Sequence, residues 1–161
     1  MRSRSRELGL SGRLVGYGVS AGGQLVSATS TVGCPQGEPG PEAMLLLSPA
    51  LDLARDRWFG TLLRPPATSS SLSPLERIRP ATASTAIVQG EKDVLTPLSG
   101  ARSFCDRLRT YGTRCELNVY PGLGHLLTRN LSDQENSFDP DPAARADGME
   151  KFRAFLRRLG L

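Results

Sequence analysis

One octapeptide constrains the fold of this chain more than any other stretch. It reads GYGVSAGG at residues 16–23, contains the pattern G-x-S-x-G, and lies between a short apolar run and a segment with helical periodicity. In that pattern a serine sits on a tight strand-to-helix turn, and flanking glycines avoid a Cβ clash. The turn lifts the hydroxyl out of the sheet and leaves the next backbone N–H free to bind an oxyanion. The motif therefore predicts Ser20 as a nucleophile and the N–H of Ala21 as an oxyanion donor.

The same residues also fit the dinucleotide-binding fingerprint G-x-G-x-x-G/A, as Gly16-x-Gly18-x-x-Ala21. That fingerprint calls for an acidic residue at the end of the second strand, where it would bind ribose hydroxyls. The second apolar run, 43–47, is followed by Ser-Pro-Ala, and Asp52 lies too far beyond the end of this run to match the fingerprint. The dinucleotide interpretation is therefore the weaker of the two, and a plain tight turn is a third.

Composition and length predict a single globular domain over residues 1–161. Hydrophobic residues make up 39% of the chain and charged residues 22%, and no apolar run approaches the roughly 20 residues of a membrane span. The net charge of +4 comes mainly from arginines on the polar sides of terminal helices, so we expect a solvated face and no nucleic-acid partner. No apolar segment follows the basic residues 1–6, and this favours a cytoplasmic location over secretion.

The three cysteines, Cys34, Cys105 and Cys115, include no C-x-x-C pair and favour neither a zinc site nor a disulfide framework. A single Cys105–Cys115 bridge is conceivable. We expect free thiols in a reducing compartment instead.

Short apolar runs alternate with amphipathic stretches along the chain, a pattern typical of a parallel α/β sheet. We predict about four parallel strands flanked by helices. The predicted strands are 13–17, 43–47, 85–89 and 117–120, and the predicted helices are 21–31, 97–111 and 142–159. In the last helix the apolar stripe of Met149, Phe152, Phe155, Leu156 and Leu159 is expected to face the core.

Residues 51–80 interrupt this alternation. We expect a partly helical excursion over the carboxyl end of the sheet, where substrate pockets form. Trp58 and Phe59 are candidate substrate-binding residues there, and the alternative is that they only anchor the excursion on the core.

A nucleophilic serine needs a base, and the base needs an orienting group. The sole histidine, His125, follows the fourth predicted strand in a glycine-rich loop, and Asp93 follows the third. Glu91 is a competing acid in the same loop. The carboxyl ends of parallel strands share one edge, so Ser20, Asp93 and His125 are predicted to meet there, in the chain order Ser…Asp…His.

With these residues in place, the chain resembles the esterase/lipase branch of the α/β-hydrolases, which includes hormone-sensitive-lipase-like and acetyl-esterase-like enzymes. The matching motifs are G-x-S-x-G-G at 18–23, G-x-x-D at 90–93, Gly-His at 124–125, and Ser-Pro with a nearby Asp at 48–52. The resemblance implies hydrolysis of a small-molecule ester through an acyl-enzyme, with Ser20 as nucleophile, His125 as base and Asp93 as orienting acid. It requires no cofactor, and no cluster at ligand spacing suggests a metal.

In one respect the chain departs from that family: we expect it to lack the N-terminal half. It contains no His-Gly-Gly for the second oxyanion donor, and its first strand is expected to form an open edge. Such an edge invites pairing, so we expect a homo-oligomer formed through residues 14–17. The alternative function is a hydrolase-fold remnant that binds a small molecule or partner with little or no turnover.

Overall fold

The computed structural model of the protein describes residues 4–33, 37, 39–55, 59, 61 and 63–161. Its centre is one parallel sheet whose strands lie in chain order. The strands are β1 (Val15–Val19), β2 (Ala43–Leu47), β3 (Ser84–Gly90) and β4 (Cys115–Tyr120). This is the α/β fold predicted from the sequence.

Helices connect and cover the strands. They include α1 (Ala21–Thr31), α2 (Ser69–Leu72), α3 (Leu98–Thr110) and α4 (Pro142–Arg158). At the start of α4 the Asp141 carboxylate accepts a hydrogen bond from the N–H of Ala144 at 2.8 Å, and Pro142 occupies the first turn, where its missing N–H costs nothing. The excursion between β2 and β3 contains α2 and two 3₁₀ turns, Leu53–Arg55 and Pro74–Arg77, as the sequence predicted in outline.

The apolar side chains of the sheet form two core layers. One layer packs Met44, Leu46 and Ile87 against Phe104 and Leu108 of α3. The other packs the alternate residues of β2 and β3 against the aromatic side chains of α4 and against Leu127. Every residue of β2 is buried, as expected for a strand covered on both faces.

The structure corrects two details of the predicted elements. β1 lies two residues further along the chain than the predicted 13–17, because Gly18 and Val19 continue the pairing with β2 up to the serine turn. Met149 is half-exposed on α4, whereas Phe152 and Phe155 are buried. The first strand is an edge strand, as predicted, since β1 pairs with β2 alone among the described strands.

Cys105 and Cys115 form a disulfide, which corrects the expectation of free thiols. Both side chains are buried between α3 and β4, with Cα atoms 5.2 Å apart, so packing brings the two sulfurs together. The cytoplasmic location was inferred partly from unpaired cysteines, and the disulfide removes that support. In the described part of the chain, no helix is long and apolar enough to cross a membrane.

The disulfide predicts a measurable stabilisation. A cross-link between residues ten apart removes loop entropy from the unfolded chain equivalent to about 2–3 kcal/mol. The Cys105→Ala/Cys115→Ala double variant should therefore unfold at a lower urea concentration than the oxidised protein. Thiol counting in denaturant provides the control. Three free thiols in the wild type and an unchanged urea midpoint in the variant would contradict the bridge.

Candidate active site

Ser20 occupies a strained turn between β1 and α1. Its backbone angles are φ 51° and ψ −121°, a left-handed φ that L-residues other than glycine rarely adopt and that costs about 1–3 kcal/mol. Backbone hydrogen bonds hold the turn in place: Ser20 donates to the carbonyl of Leu47 at 3.0 Å and accepts from the N–H of Ala50 at 3.1 Å. The surrounding β-sheet therefore maintains the conformation that exposes the Ser20 hydroxyl.

The glycines around Ser20 do not all have the role predicted from the motif. A Cβ on Gly18 would lie 2.6 Å from the carbonyl oxygen of Gly22, and one on Gly23 would lie 2.6 Å from the side chain of Pro49. A Cβ on Gly22 would meet nothing within 4 Å. The close packing of α1 on the sheet thus depends on Gly18 and Gly23, and Gly22 is not sterically required.

The structure brings Ser20, His125 and Asp93 into one hydrogen-bonded chain. Ser20 Oγ lies 2.9 Å from His125 Nε2, and His125 Nδ1 lies 2.9 Å from Asp93 Oδ2. A carboxylate can only accept, so the partners assign the proton to Nδ1 and leave Nε2 to accept from the serine hydroxyl. His125 and Asp93 are both buried, and solvent therefore competes little for these hydrogen bonds.

The Asp93 carboxylate is fully engaged by donors. Its Oδ1 accepts from the backbone N–H groups of Leu95, at 3.0 Å, and Thr96, at 2.8 Å. Its Oδ2 accepts from Gln89 Nε2, Thr96 Oγ1 and His125 Nδ1, all within 2.9 Å. A buried carboxylate is costly unless it is hydrogen-bonded, and these donors satisfy both of its oxygens.

The predicted competitor Glu91 does not contact His125. Its carboxylate accepts from the N–H of Gly122 at 3.1 Å and lies 3.6 Å from Lys92 Nζ. The backbone hydrogen bond from Gly122 and, after it, the charge of Lys92 lower the pKa of Glu91 below its usual range. Glu91 therefore connects the loop between β3 and α3, residues 91–97 and here called the acid loop, to the loop after β4, and Asp93 is the carboxylate that contacts His125.

Gln134 joins the loops that carry Asp93 and His125. Its Oε1 accepts from the N–H groups of His125, at 2.8 Å, and Val94, at 3.2 Å, and its Nε2 donates to the carbonyl of Lys92 at 2.9 Å. Sequence reasoning missed this residue because nothing in its surroundings along the chain marks it as buried. Gln89 and Thr96 were also missed, although a glutamine within an apolar strand is a signal that could have identified one of them.

A cleft of about 720 Å³ opens beside Ser20. Ser20 and Ala21 form part of its wall, so the hydroxyl and the first N–H of α1 are adjacent to the same space. Phe59 lines the cleft, whereas Trp58 lies outside the described residues. The other apolar lining comes from the excursion and the acid loop, notably Leu51 and Leu95. Within the described ranges, no group of three or more His, Cys, Asp or Glu side chains could hold a metal ion.

Solved structures of an esterase have the same fold. The native esterase from the Planctomycetes species Thermogutta terrifontis aligns over 99% of this chain with a TM-score of 0.77 and 25% identity. Its butyrate-bound form gives 0.77 and 26%, also over 99% of the chain. The form phosphorylated by paraoxon gives 0.76 and 26% over the same share. The chain has an esterase-like fold.

This chain spans only about 60% of the length of those esterase chains: 60% of the native form, 61% of the butyrate-bound form and 59% of the paraoxon form. No protein-family model matches the sequence, and no curated protein sequence matches it significantly.

A single methyl group at the end of β3 should disrupt the site. A Cβ on Gly90 would lie 2.6 Å from the carbonyl oxygen of Leu123 and closer still to that of Gly124, so it would push away the loop that carries His125. We expect Gly90→Ala to weaken the Ser20–His125 hydrogen bond and to lower any esterase activity at least tenfold, because small misplacements of catalytic groups are costly, about 100-fold per ångström.

Gly112→Ala is the matched control, since a Cβ there meets nothing within 4 Å. Its left-handed φ adds local strain far from the site, but no displacement of the histidine loop. Equal activity of Gly90→Ala and wild type would show that the two loops do not depend on this contact.

Proposed function

We propose that the protein is a serine carboxylic ester hydrolase that acts through an acyl-enzyme on short- to medium-chain esters. The observation that carries the proposal is the hydrogen-bonded chain Ser20–His125–Asp93, with 2.9 Å at each step. The esterase-like fold supports it, and the fold neighbours include butyrate- and propionate-bound forms of an esterase.

The geometry suits acyl transfer in two steps, acylation of Ser20 and then hydrolysis of the acyl-enzyme. Ser20 Oγ attacks the ester carbonyl while His125 Nε2 takes the hydroxyl proton, giving a tetrahedral oxyanion. The oxyanion collapses, the C–O bond to the alcohol breaks, and the alkoxide leaves with the proton from Nε2. Water then attacks the acyl-Ser20 ester with the same base, releasing the acid. Throughout, Asp93 holds the imidazole in the tautomer with the proton on Nδ1 and stabilises the transient imidazolium.

The N–H of Ala21 is the proposed oxyanion donor. It belongs to the first turn of α1, whose N–H groups have no partner within the helix and whose dipole favours negative charge. The sequence has no His-Gly-Gly for a second donor, and losing one donor costs about 10²–10³ in rate in a comparable hydrolase. We therefore expect slow turnover unless another loop or another subunit supplies the second N–H.

The cleft beside Ser20 is the proposed substrate site. Its volume of about 720 Å³ lies in the range of small-molecule pockets, and Phe59, Leu51 and Leu95 give it an apolar wall. This wall suits the hydrocarbon part of an ester, and charged side chains such as Arg55 also line the cleft.

A hydrolase-fold remnant that binds without turnover is the second candidate. Retention of all three hydrogen-bonded site residues favours the enzyme, because binding alone gives no physical reason to keep Ser20, His125 and Asp93 together.

Removal of the nucleophile tests the proposal directly. The wild-type protein should hydrolyse p-nitrophenyl acetate and butyrate, and Ser20→Ala should reduce kcat to background, a loss on the order of 10⁴ or more. Stopped-assay release of p-nitrophenolate measures this, with circular dichroism to show that both proteins are folded. Equal rates for the two folded proteins would reject a serine esterase and favour the remnant.

Two substitutions of a carboxylate by an amide test which acidic residue orients His125. Asp93→Asn should lower kcat by about 10³–10⁴, because an amide facing Nδ1 favours the wrong imidazole tautomer. Glu91→Gln is the matched control in the same loop and should change kcat less than about threefold, since the glutamine oxygen can still accept from the N–H of Gly122. The assignment is wrong if the two variants exchange these results.

Self-association through β1 belongs to the same proposal. Val15 and Tyr17 are exposed on this edge strand, at 39% and 48%, and Leu25 of α1 and Met149 of α4 are exposed apolar residues on the two flanking helices. Two copies related by a two-fold axis would pair their β1 strands and cover these side chains.

A charge on the edge should separate such a dimer. We expect the wild type to be dimeric at micromolar concentration by light scattering, and Val15→Lys to be monomeric, because a lysine on an edge strand opposes pairing. Tyr111→Lys is the control: Tyr111 is 42% exposed and follows α3, away from β1. A monomeric wild type would refute the edge-paired dimer.

A further inference from the structure

Two further donors share the carboxylate oxygen that faces His125. Gln89 Nε2 lies 2.8 Å from Asp93 Oδ2, and Thr96 Oγ1 lies 2.9 Å from the same atom. We propose that Gln89 and Thr96 are positioning residues that fix Asp93 Oδ2 opposite His125 Nδ1. This inference rests on the proposed function, because it concerns how the same site is held.

Gln89 is costly at its position, which argues for a role beyond packing. The side chain is fully buried in β3, and its amide donates to Asp93 Oδ2 and to the Thr96 carbonyl, both at 2.8 Å. Its Oε1 is a buried side-chain atom with no hydrogen-bond partner in the described part of the chain. An unpaired buried acceptor lowers the free energy of unfolding, and an apolar side chain of similar shape would avoid that loss.

The partners of Gln89 also fix which way its amide points. With the opposite orientation, Oε1 would face two acceptors, Asp93 Oδ2 and the Thr96 carbonyl, and both contacts would be repulsive. The unpaired oxygen is therefore a consequence of directing both amide protons at the acid loop. The unpaired Oε1 is therefore a local loss of stability that accompanies the two hydrogen bonds donated to the acid loop.

The Thr96 hydroxyl lies within reach of both members of the Asp93–His125 pair. Its Oγ1 is 2.9 Å from Asp93 Oδ2, 3.2 Å from His125 Nδ1 and 3.0 Å from the carbonyl oxygen of Ser48. The hydroxyl has one proton, for which the carboxylate oxygen of Asp93 is the nearer and stronger acceptor, and its lone pairs can share the Nδ1 proton with Asp93. When the imidazole shifts slightly, the Nδ1 proton can therefore still form a hydrogen bond to Thr96 Oγ1.

The donors on the two carboxylate oxygens together define the plane of the group. Backbone N–H groups of Leu95 and Thr96 hold Oδ1, and the side chains of Gln89 and Thr96 hold Oδ2. Without the side-chain donors, rotation of the carboxylate about its Cβ–Cγ bond is opposed at Oδ2 by His125 Nδ1 alone. Oδ2 would then leave the line to His125 Nδ1, and the imidazole would lose its orienting partner.

The test uses isosteric variants and a matched control on the full chain. Gln89→Met and Thr96→Val remove the donors while keeping similar shape, Thr96→Ser restores the hydroxyl, and Ile87→Val removes one methylene from a buried residue of the same strand. The readouts are kcat and KM with p-nitrophenyl acetate, the urea midpoint, and the Nδ1 proton resonance of His125. As His125 is the sole histidine, that resonance needs no further assignment.

We expect kcat to fall about tenfold or more in Gln89→Met and Thr96→Val with KM little changed, as is typical when outer hydrogen-bond partners of a site are removed. The Nδ1 resonance should move upfield in both, and Thr96→Ser should restore kcat and the resonance. The urea midpoint should fall in Gln89→Met, because Asp93 Oδ2 and the Thr96 carbonyl each lose a donor. In Ile87→Val it should fall, with kcat unchanged.

Unchanged kcat and an unchanged resonance in Gln89→Met and Thr96→Val would overturn the inference. If Gln89→Met does not fold, the Thr96→Val and Thr96→Ser pair decides. A wild type without turnover would reject the proposed function, and the Nδ1 resonance would still decide whether the two donors hold the Asp93–His125 pair.

Discussion

The buried carboxylate of Asp93 is the constraint on which the rest of the site depends. A charge removed from water is tolerated only when hydrogen bonds replace its hydration, and backbone and side-chain donors supply them here. The donors come from three parts of the chain: the core of β3, the acid loop and the loop after β4. The same bonds that make the charge tolerable therefore fix three segments relative to one another and orient His125 toward Ser20.

Close backbone packing supplies the second constraint. Because all four strands run parallel, the loops that follow them lie at one edge of the sheet, and glycines allow the closest backbone contacts there. Gly18 lets α1 approach β1, and Gly90 lets the histidine loop lie on the end of β3. The strained backbone of Ser20 persists because this packing, together with its hydrogen bonds to Leu47 and Ala50, prevents the turn from relaxing.

Sequence patterns predicted the parallel sheet and the meeting of Ser20, Asp93 and His125, because both follow from local motifs and from the shared edge of parallel strands. They did not predict the Cys105–Cys115 bridge or the exposure of Met149, because these depend on how α3 and α4 rotate against the sheet. Gln89, Thr96 and Gln134 were missed for a related reason. A polar residue reveals its partner only when distant loops have been brought together, and no spacing along the chain encodes that contact.

The most direct test of the central claim, that His125 and Asp93 activate Ser20 in the folded chain, is covalent labelling. Paraoxon phosphorylates an activated serine in one step. Because the adduct forms without turnover, it can be detected even when ester hydrolysis is slow. Intact-mass and peptide analysis should show one phosphoryl group, located on Ser20, in the wild type and none in folded His125→Ala. Absence of the adduct from folded wild-type protein, or an adduct on another residue, would contradict the account.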